Sequence, residues 1–154
     1  AFFVRPQRSI INSRVIYPLI SRKFTNTNGK LPFDLQECRS ERDYENMIKK
    51  YCEEDNIMKA RGVIDYMTKN DIIPREHVFQ HLIRLYCKLQ QTSKATDILF
   101  EMNSLEVKPQ ASTYNIIIGA YGDANRTSKV IELIDEMSLA GVPPDIYTFN
   151  ILLR

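Results

Sequence analysis

Few residues in this chain of 154 have the types and spacing that catalysis or metal binding demands. His77 and His81 stand four apart, the interval that lets two imidazoles on one helical turn meet a metal ion. No third Cys, His or carboxylate follows at a matching interval, and His77 falls ahead of its expected helix, so no zinc site is expected. The three cysteines, Cys38, Cys52 and Cys87, form an odd set without close pairs, which suits a reducing compartment better than a disulfide framework. Cys52 and Cys87 recur at one interval, with Gly122 following at the same interval, and they read as packing residues rather than nucleophiles. The sequence holds no glycine-rich phosphate loop and no Ser/His/Asp set. Neither an enzyme nor a cofactor is expected in these residues.

The same interval organises the whole chain. Shifted by 35 residues from position 43, "DYENMIKKYC" falls over "VFQHLIRLYC" and then over "TYNIIIGAYG", and a fourth start, "TFNILLR", begins at Thr148. Apolar residues follow the i, i+3, i+4, i+7 spacing of a helix twice in each unit. The first helices show Tyr44, Met47, Ile48, Tyr51, then Phe79, Leu82, Ile83, Tyr86, then Tyr114, Ile117, Ile118, Tyr121. The second helices show Ala60, Val63, Ile64, Met67, then Ala95, Ile98, Leu99, Met102, then Val130, Leu133, Ile134, Met137. Composition alone would make 44% of such positions apolar, and here all are, so the repeat is real. Pro74, Pro109 and Pro144 share one position and are expected to end the second helices. Thr92 or Ser93 and Thr127 or Ser128 are the expected N-caps of second helices. Each unit is then a helical hairpin that cannot bury both apolar stripes alone, which predicts an all-α solenoid of stacked hairpins.

Charge divides the chain. Residues 1–33 hold six basic residues and no acidic one, a charge of +6; the other 15 basic residues face all 19 acidic ones, leaving −4 on the rest. The Arg-rich, Ser/Thr-containing lead has the composition of a mitochondrial presequence, while Pro6 and Pro18 break any helix and a secretory signal's apolar block is missing. A disordered basic leader over 1–33, directing the protein to the mitochondrial matrix, is expected. Arg22-Lys23-Phe24 resembles sites cut by the matrix processing peptidase. No apolar run is long enough to span a bilayer, so no membrane insertion is expected. The opening Ala1, and a fourth unit that stops without its second helix, suggest a piece of a longer chain.

Two helical-hairpin repeats have nearly this length. The tetratricopeptide repeat runs at 34 with a Trp-containing opening, and this chain has no Trp. The stretch "STYNIIIGAYGDANRTSKVIELIDEMSLAGVPPD", residues 112–145, instead resembles the pentatricopeptide repeat signature, with its Thr-Tyr-Asn start, late Glu-Met and Gly-Val-x-Pro-Asp close. The resemblance covers roughly 41–154. It implies a right-handed α-solenoid with units at 41–75, 76–110 and 111–145, a linker over 34–40 and the start of a fourth unit over 146–154.

The resemblance also implies a partner. Proteins of this family hold single-stranded RNA and read about one base per repeat through the fifth and last residues of a unit. Those pairs are Glu45 with Arg75, Gln80 with Gln110, and Asn115 with Asp145, and Asn150 is the fifth residue of the fourth unit. Only Asn115 with Asp145 matches a familiar combination, one that favours uracil. An Asn amide both donates and accepts, and a neighbouring carboxylate can orient it. His77, Ser112 and Tyr147, placed before the first helices, would flank the bases, with Tyr147 offering a ring for stacking. Phosphate contacts dominate nucleic-acid affinity, and a body at −4 leaves Lys49, Lys50, Arg84 and Lys88, off the apolar stripe, to supply them. The primary expectation is an RNA-binding protein acting on the processing, stability or translation of an organellar transcript. The alternative is a scaffold binding other proteins, such as an assembly factor of the mitochondrial ribosome or a respiratory complex. A third reading makes the repeats the targeting arm of an RNA-processing enzyme whose catalytic domain lies beyond residue 154.

Overall fold

The computed structural model describes Cys38 and residues 40–153. The leader expected over 1–33, its cleavage near Phe24 and most of the linker lie outside the described residues. Among those described, seven helices follow one another without a strand: α1 Glu41–Glu53, α2 Ile57–Lys69, α3 Glu76–Lys88, α4 Thr92–Ser104, α5 Ala111–Asp123, α6 Thr127–Leu139 and α7 Ile146–Leu152. First-helix starts recur every 35 residues, at Glu41, Glu76, Ala111 and Ile146.

The apolar stripes explain the arrangement. Of the positions named from periodicity, all but Met47 and Ile134 are buried, and Phe79, Leu82, Ile118 and Met102 are wholly enclosed. Enclosing each such side chain is worth roughly 1.5–3 kcal/mol, more than one hairpin can collect by closing on itself. The pairs α1–α2, α3–α4 and α5–α6 form hairpins; α1, α3, α5 and α7 pack in a row; and α2, α4 and α6 each lean on the first helix of the next unit. The first helices thus form a continuous layer.

Helix ends differ from expectation. The prolines do not stop the second helices, which finish at Lys69, Ser104 and Leu139, five residues before Pro74, Pro109 and Pro144. The stop is a Schellman motif: Ile72 N–H donates to Met67 O, Val107 N–H to Met102 O and Val142 N–H to Met137 O, at 2.9–3.0 Å. Asp71, Glu106 and Gly141 take the left-handed backbone each motif needs, at φ 60°, 60° and 76°. The apolar residue two before each proline is the one whose backbone N–H closes the motif. Each proline then stands just ahead of the next first helix, where a missing N–H costs little.

First helices end the same way, at Asp55, Gln90 and Asn125, with φ of 54–60°. This shortens the turn inside each hairpin to three residues, whose last is already the N-cap of the second helix: Asn56, Gln91 and Arg126. Thr92 and Thr127 are therefore the first helical residues, not caps, and Ser93 and Ser128 follow inside the helix. Only Asn56 of the three caps with its side chain, accepting from Lys59 N–H at 3.1 Å. No helix among the described residues is long and apolar enough to cross a membrane.

Candidate nucleic-acid interface

The fifth residues of the units sit on successive first helices, Glu45 on α1, Gln80 on α3, Asn115 on α5 and Asn150 on α7. His77, Ser112 and Tyr147 do not precede these helices as expected; each occupies the second position of the helix, because the extended segment after each proline ends one residue earlier. That places them beside the fifth residue of the preceding unit.

Asn115 is 7% exposed, and both ends of its amide are held. Its Nδ2 donates to the two carboxylate oxygens of Asp145 at 3.2 and 3.3 Å, and its Oδ1 accepts from Thr148 Oγ1 at 2.6 Å. Asp145 is at the same time the N-cap of α7, accepting from Thr148 N–H at 2.9 Å. That backbone N–H, with the Asn115 amide adding, holds the Asp145 carboxyl below its usual range. The structure therefore joins Asn115 to Asp145 and adds Thr148. The two oxygens of one carboxylate share a single N–H of the amide, so one N–H and one lone pair of Asn115 have no partner among the described residues, a donor and an acceptor side by side.

Gln80 and Gln110 are not joined in this way. Gln80 Nε2 lies 2.9 Å from Thr113 Oγ1, 3.1 Å from Ser112 Oγ and 3.4 Å from Glu76 Oε1. Glu76 Oε1 also accepts from Thr113 Oγ1 at 2.6 Å and from the Gln110 backbone N–H at 2.8 Å. The acid that Asp145 supplies to the third unit is supplied here by Glu76, from the first position of the same unit. In the first unit, Glu45 meets Arg75 at 3.8 Å and His77 at 3.2 Å, and Arg75 also approaches Glu41 at 3.8 Å, an ion cluster closed on itself. Asn150 is exposed.

A groove of about 600 Å³ runs along the first-helix layer, bordered by Arg84, Lys88, Asn115, Gly119, Asp123 and Tyr147. Expected base-reading, flanking and phosphate residues thus share one cavity. A smaller groove of about 220 Å³ lies between α1 and α3, with Lys49, His81 and Arg84 on its wall, so Arg84 borders both. Burial, then the charges of His77, Arg84 and Lys49, lowers the pKa of His81, leaving its imidazole neutral at neutral pH. Lys88 is held by the Asp55 carboxylate at 2.7 and 2.8 Å, and Lys50 is exposed outside both grooves. Burial pushes the Cys52 and Cys87 thiols up to about 11, which suits packing rather than nucleophilic attack.

Sequence reasoning missed Glu76, Thr113 and Thr148. A signal was present: the two units without a final acid begin with one, Glu41 and Glu76, whereas the third begins with Ala111. It also missed Arg61, which bridges α2 and α4 by a 2.8 Å contact with Glu101 and lies 3.8 Å from Asp65, away from the reading residues.

Stacked helical hairpins of one length, with a polar row along the layer of first helices, define a helical-repeat solenoid. Three family models match: the PPR repeat at 44–72, the pentatricopeptide repeat domain at 63–124 and the PPR repeat family at 109–154, together covering 44–154 without a break. The chain belongs to the pentatricopeptide repeat family. Among solved structures it is similar to the pentatricopeptide repeat protein PPR10 from maize, with a TM-score of 0.71 and 21% identity over 78% of this chain and 17% of that one. It is also similar to PPR10 in complex with an 18-nt psaJ RNA element, with a TM-score of 0.62 and 15% identity over 88% of this chain and 19% of that one. The chain spans less than a fifth of the length of those proteins. Among curated proteins, none matches it by sequence.

Proposed function

We propose that this chain binds single-stranded RNA along its first-helix layer, with the third unit reading uridine through Asn115. One observation carries this reading: the half-satisfied Asn115 amide, the Tyr147 ring and the Arg84 guanidinium border a single groove. Uracil presents an N–H beside carbonyl oxygens, the complement of the donor and acceptor left on Asn115. Tyr147 supplies a stacking surface, and Arg84 a cation with no ion pair among the described residues. The solved complex of PPR10 with RNA supports the same use of this fold.

The test is selection from a pool of random single-stranded RNA at two salt concentrations. Enrichment of a uridine-containing motif is expected, with affinity falling as salt rises at a log–log slope of roughly −2 if Arg84, Lys49 and Lys50 meet phosphates. Asn115→Ala should lower the preference for uridine about tenfold, the scale of one good base contact. Absence of enrichment in the parent chain would refute the reading.

The basic, acid-free segment 1–33 supports an organellar site of action, in which the protein enters the mitochondrial matrix and affects the processing, stability or translation of a transcript there. Import into isolated mitochondria, with and without residues 1–33, tests it. The self-closed cluster of Glu45, Arg75 and His77 favours a second reading for the first unit alone, contact with a protein partner rather than a base. RNA protection reaching no further than the second unit would support that division.

A further inference from the structure

We infer that the second unit reads a base with Gln80 acting as a hydrogen-bond acceptor only, selecting an amino-bearing base over uracil, and that Glu76 and Thr113 are the positioning residues that impose this. The inference rests on the RNA reading above and assigns a base class to a unit whose fifth and last residues depart from the family's familiar pairs.

Hydrogen counting carries the argument. Thr113 Oγ1 lies 2.6 Å from Glu76 Oε1, and a carboxylate has no hydrogen to give, so the threonine hydroxyl spends its one hydrogen there. Toward Gln80 the same oxygen can only accept. Gln80 Nε2 therefore donates to Thr113 Oγ1 at 2.9 Å, with Glu76 Oε1 at 3.4 Å and Ser112 Oγ at 3.1 Å as further acceptors. Turning the amide over would set its carbonyl oxygen against two oxygens with no hydrogen for it, so the chemistry of the neighbours fixes its orientation. Both N–H groups are then engaged within the protein. No hydrogen bond reaches Oε1 among the described residues, and Oε1 is the group left for a ligand.

Gln80 is half-buried and lies one helical turn before Arg84, which borders the groove shared with Asn115. The contrast with Asn115 is one of stoichiometry. Asn115 meets one acid and one donor and keeps a free group of each kind; Gln80 meets three oxygens that all accept from its Nε2, two of which, Thr113 Oγ1 and Glu76 Oε1, have no hydrogen to return. A lone acceptor favours bases whose edge offers amino hydrogens: guanine, with adjacent ring and amino N–H groups, and then adenine and cytosine. Uracil offers one N–H flanked by two carbonyl oxygens that repel the incoming Gln80 oxygen.

The experiment measures binding of the full chain to labelled single-stranded RNAs in which one uridine, for the third unit, is flanked on each side in turn by each of the four bases. Uridine in the place read by the second unit is expected to weaken binding about fivefold relative to guanosine, the worth of one net hydrogen bond. Gln80→Ala should level the four bases, and Glu76→Ala should do the same by freeing the amide to turn. Thr113→Val, equal in shape, gives a second route to that loss, and circular dichroism melts establish that each variant is folded. Equal binding of all four bases on both sides, with the uridine preference still lost in Asn115→Ala, would overturn this inference and leave the RNA reading standing. Discrimination that survives in folded Gln80→Ala would also overturn it. Failure to bind any of the RNAs would refute both readings together.

Discussion

The Arg61 guanidinium faces two carboxylates, Asp65 and Glu101, and each keeps one buried oxygen without a hydrogen-bond partner among the described residues. Burial pushes both carboxyls up, with Arg61 opposing. A carboxyl raised in the folded state holds its proton more tightly there than in the unfolded chain. Its contribution to stability therefore declines as pH climbs from the unfolded value near 4 through the raised one. Arg61→Met should cost about 3–5 kcal/mol at pH 7, where two buried carboxylates lose their counter-charge, and distinctly less at pH 4, where they protonate in place. Urea melts at the two pH values check the difference. This cluster was not legible in the sequence, since neither acid looks unusual on its helix and the contact joins different units. Asn115 and Asp145 were legible because their types and interval match a known pattern. Glu76 was not, because it supplies from the start of a unit the charge that the pattern places at its end.

Among the described residues, six of the seven helices are 13 residues long and all six close on a left-handed residue, five of them not glycine. Such a backbone costs an ordinary L-residue about 1 kcal/mol relative to glycine. Glu106→Gly, at φ 60° and exposed, should therefore stabilise the chain by about 1 kcal/mol without touching a reading residue, as a thermal melt would show. At this scale the helices themselves were plain from their 3.6-residue apolar rhythm, which survives because burial enforces it. The stops were misjudged because proline is a conspicuous breaker. A Schellman closure at Asp71 or Glu106 leaves almost no compositional mark, and only Gly141 in the third unit displays one. Caps were misplaced for a related reason: Thr92 and Thr127 have the favoured side chains, but the three-residue turn starts the helix on them, one residue early.

Over the whole array, the third and fourth units meet at a glycine. A Cβ on Gly122 would stand 2.8 Å from Ile151 Cγ2, whereas the corresponding positions earlier in the array hold Cys52 and Cys87. Gly122→Val should push α7 from α5 and destabilise the chain by about 1–3 kcal/mol, with relief when Ile151→Ala is added. The stacked architecture could be read from the 35-residue period, since unpaired apolar stripes leave few alternatives. The interlocking of units could not, because it depends on which side chains cross a seam. Asn115 belongs to α5, yet the threonine and the acid that orient it arrive with α7. Under the proposed RNA reading, selecting a base and holding two units together become one event: prising α7 from α5 would take away the very groups that orient Asn115.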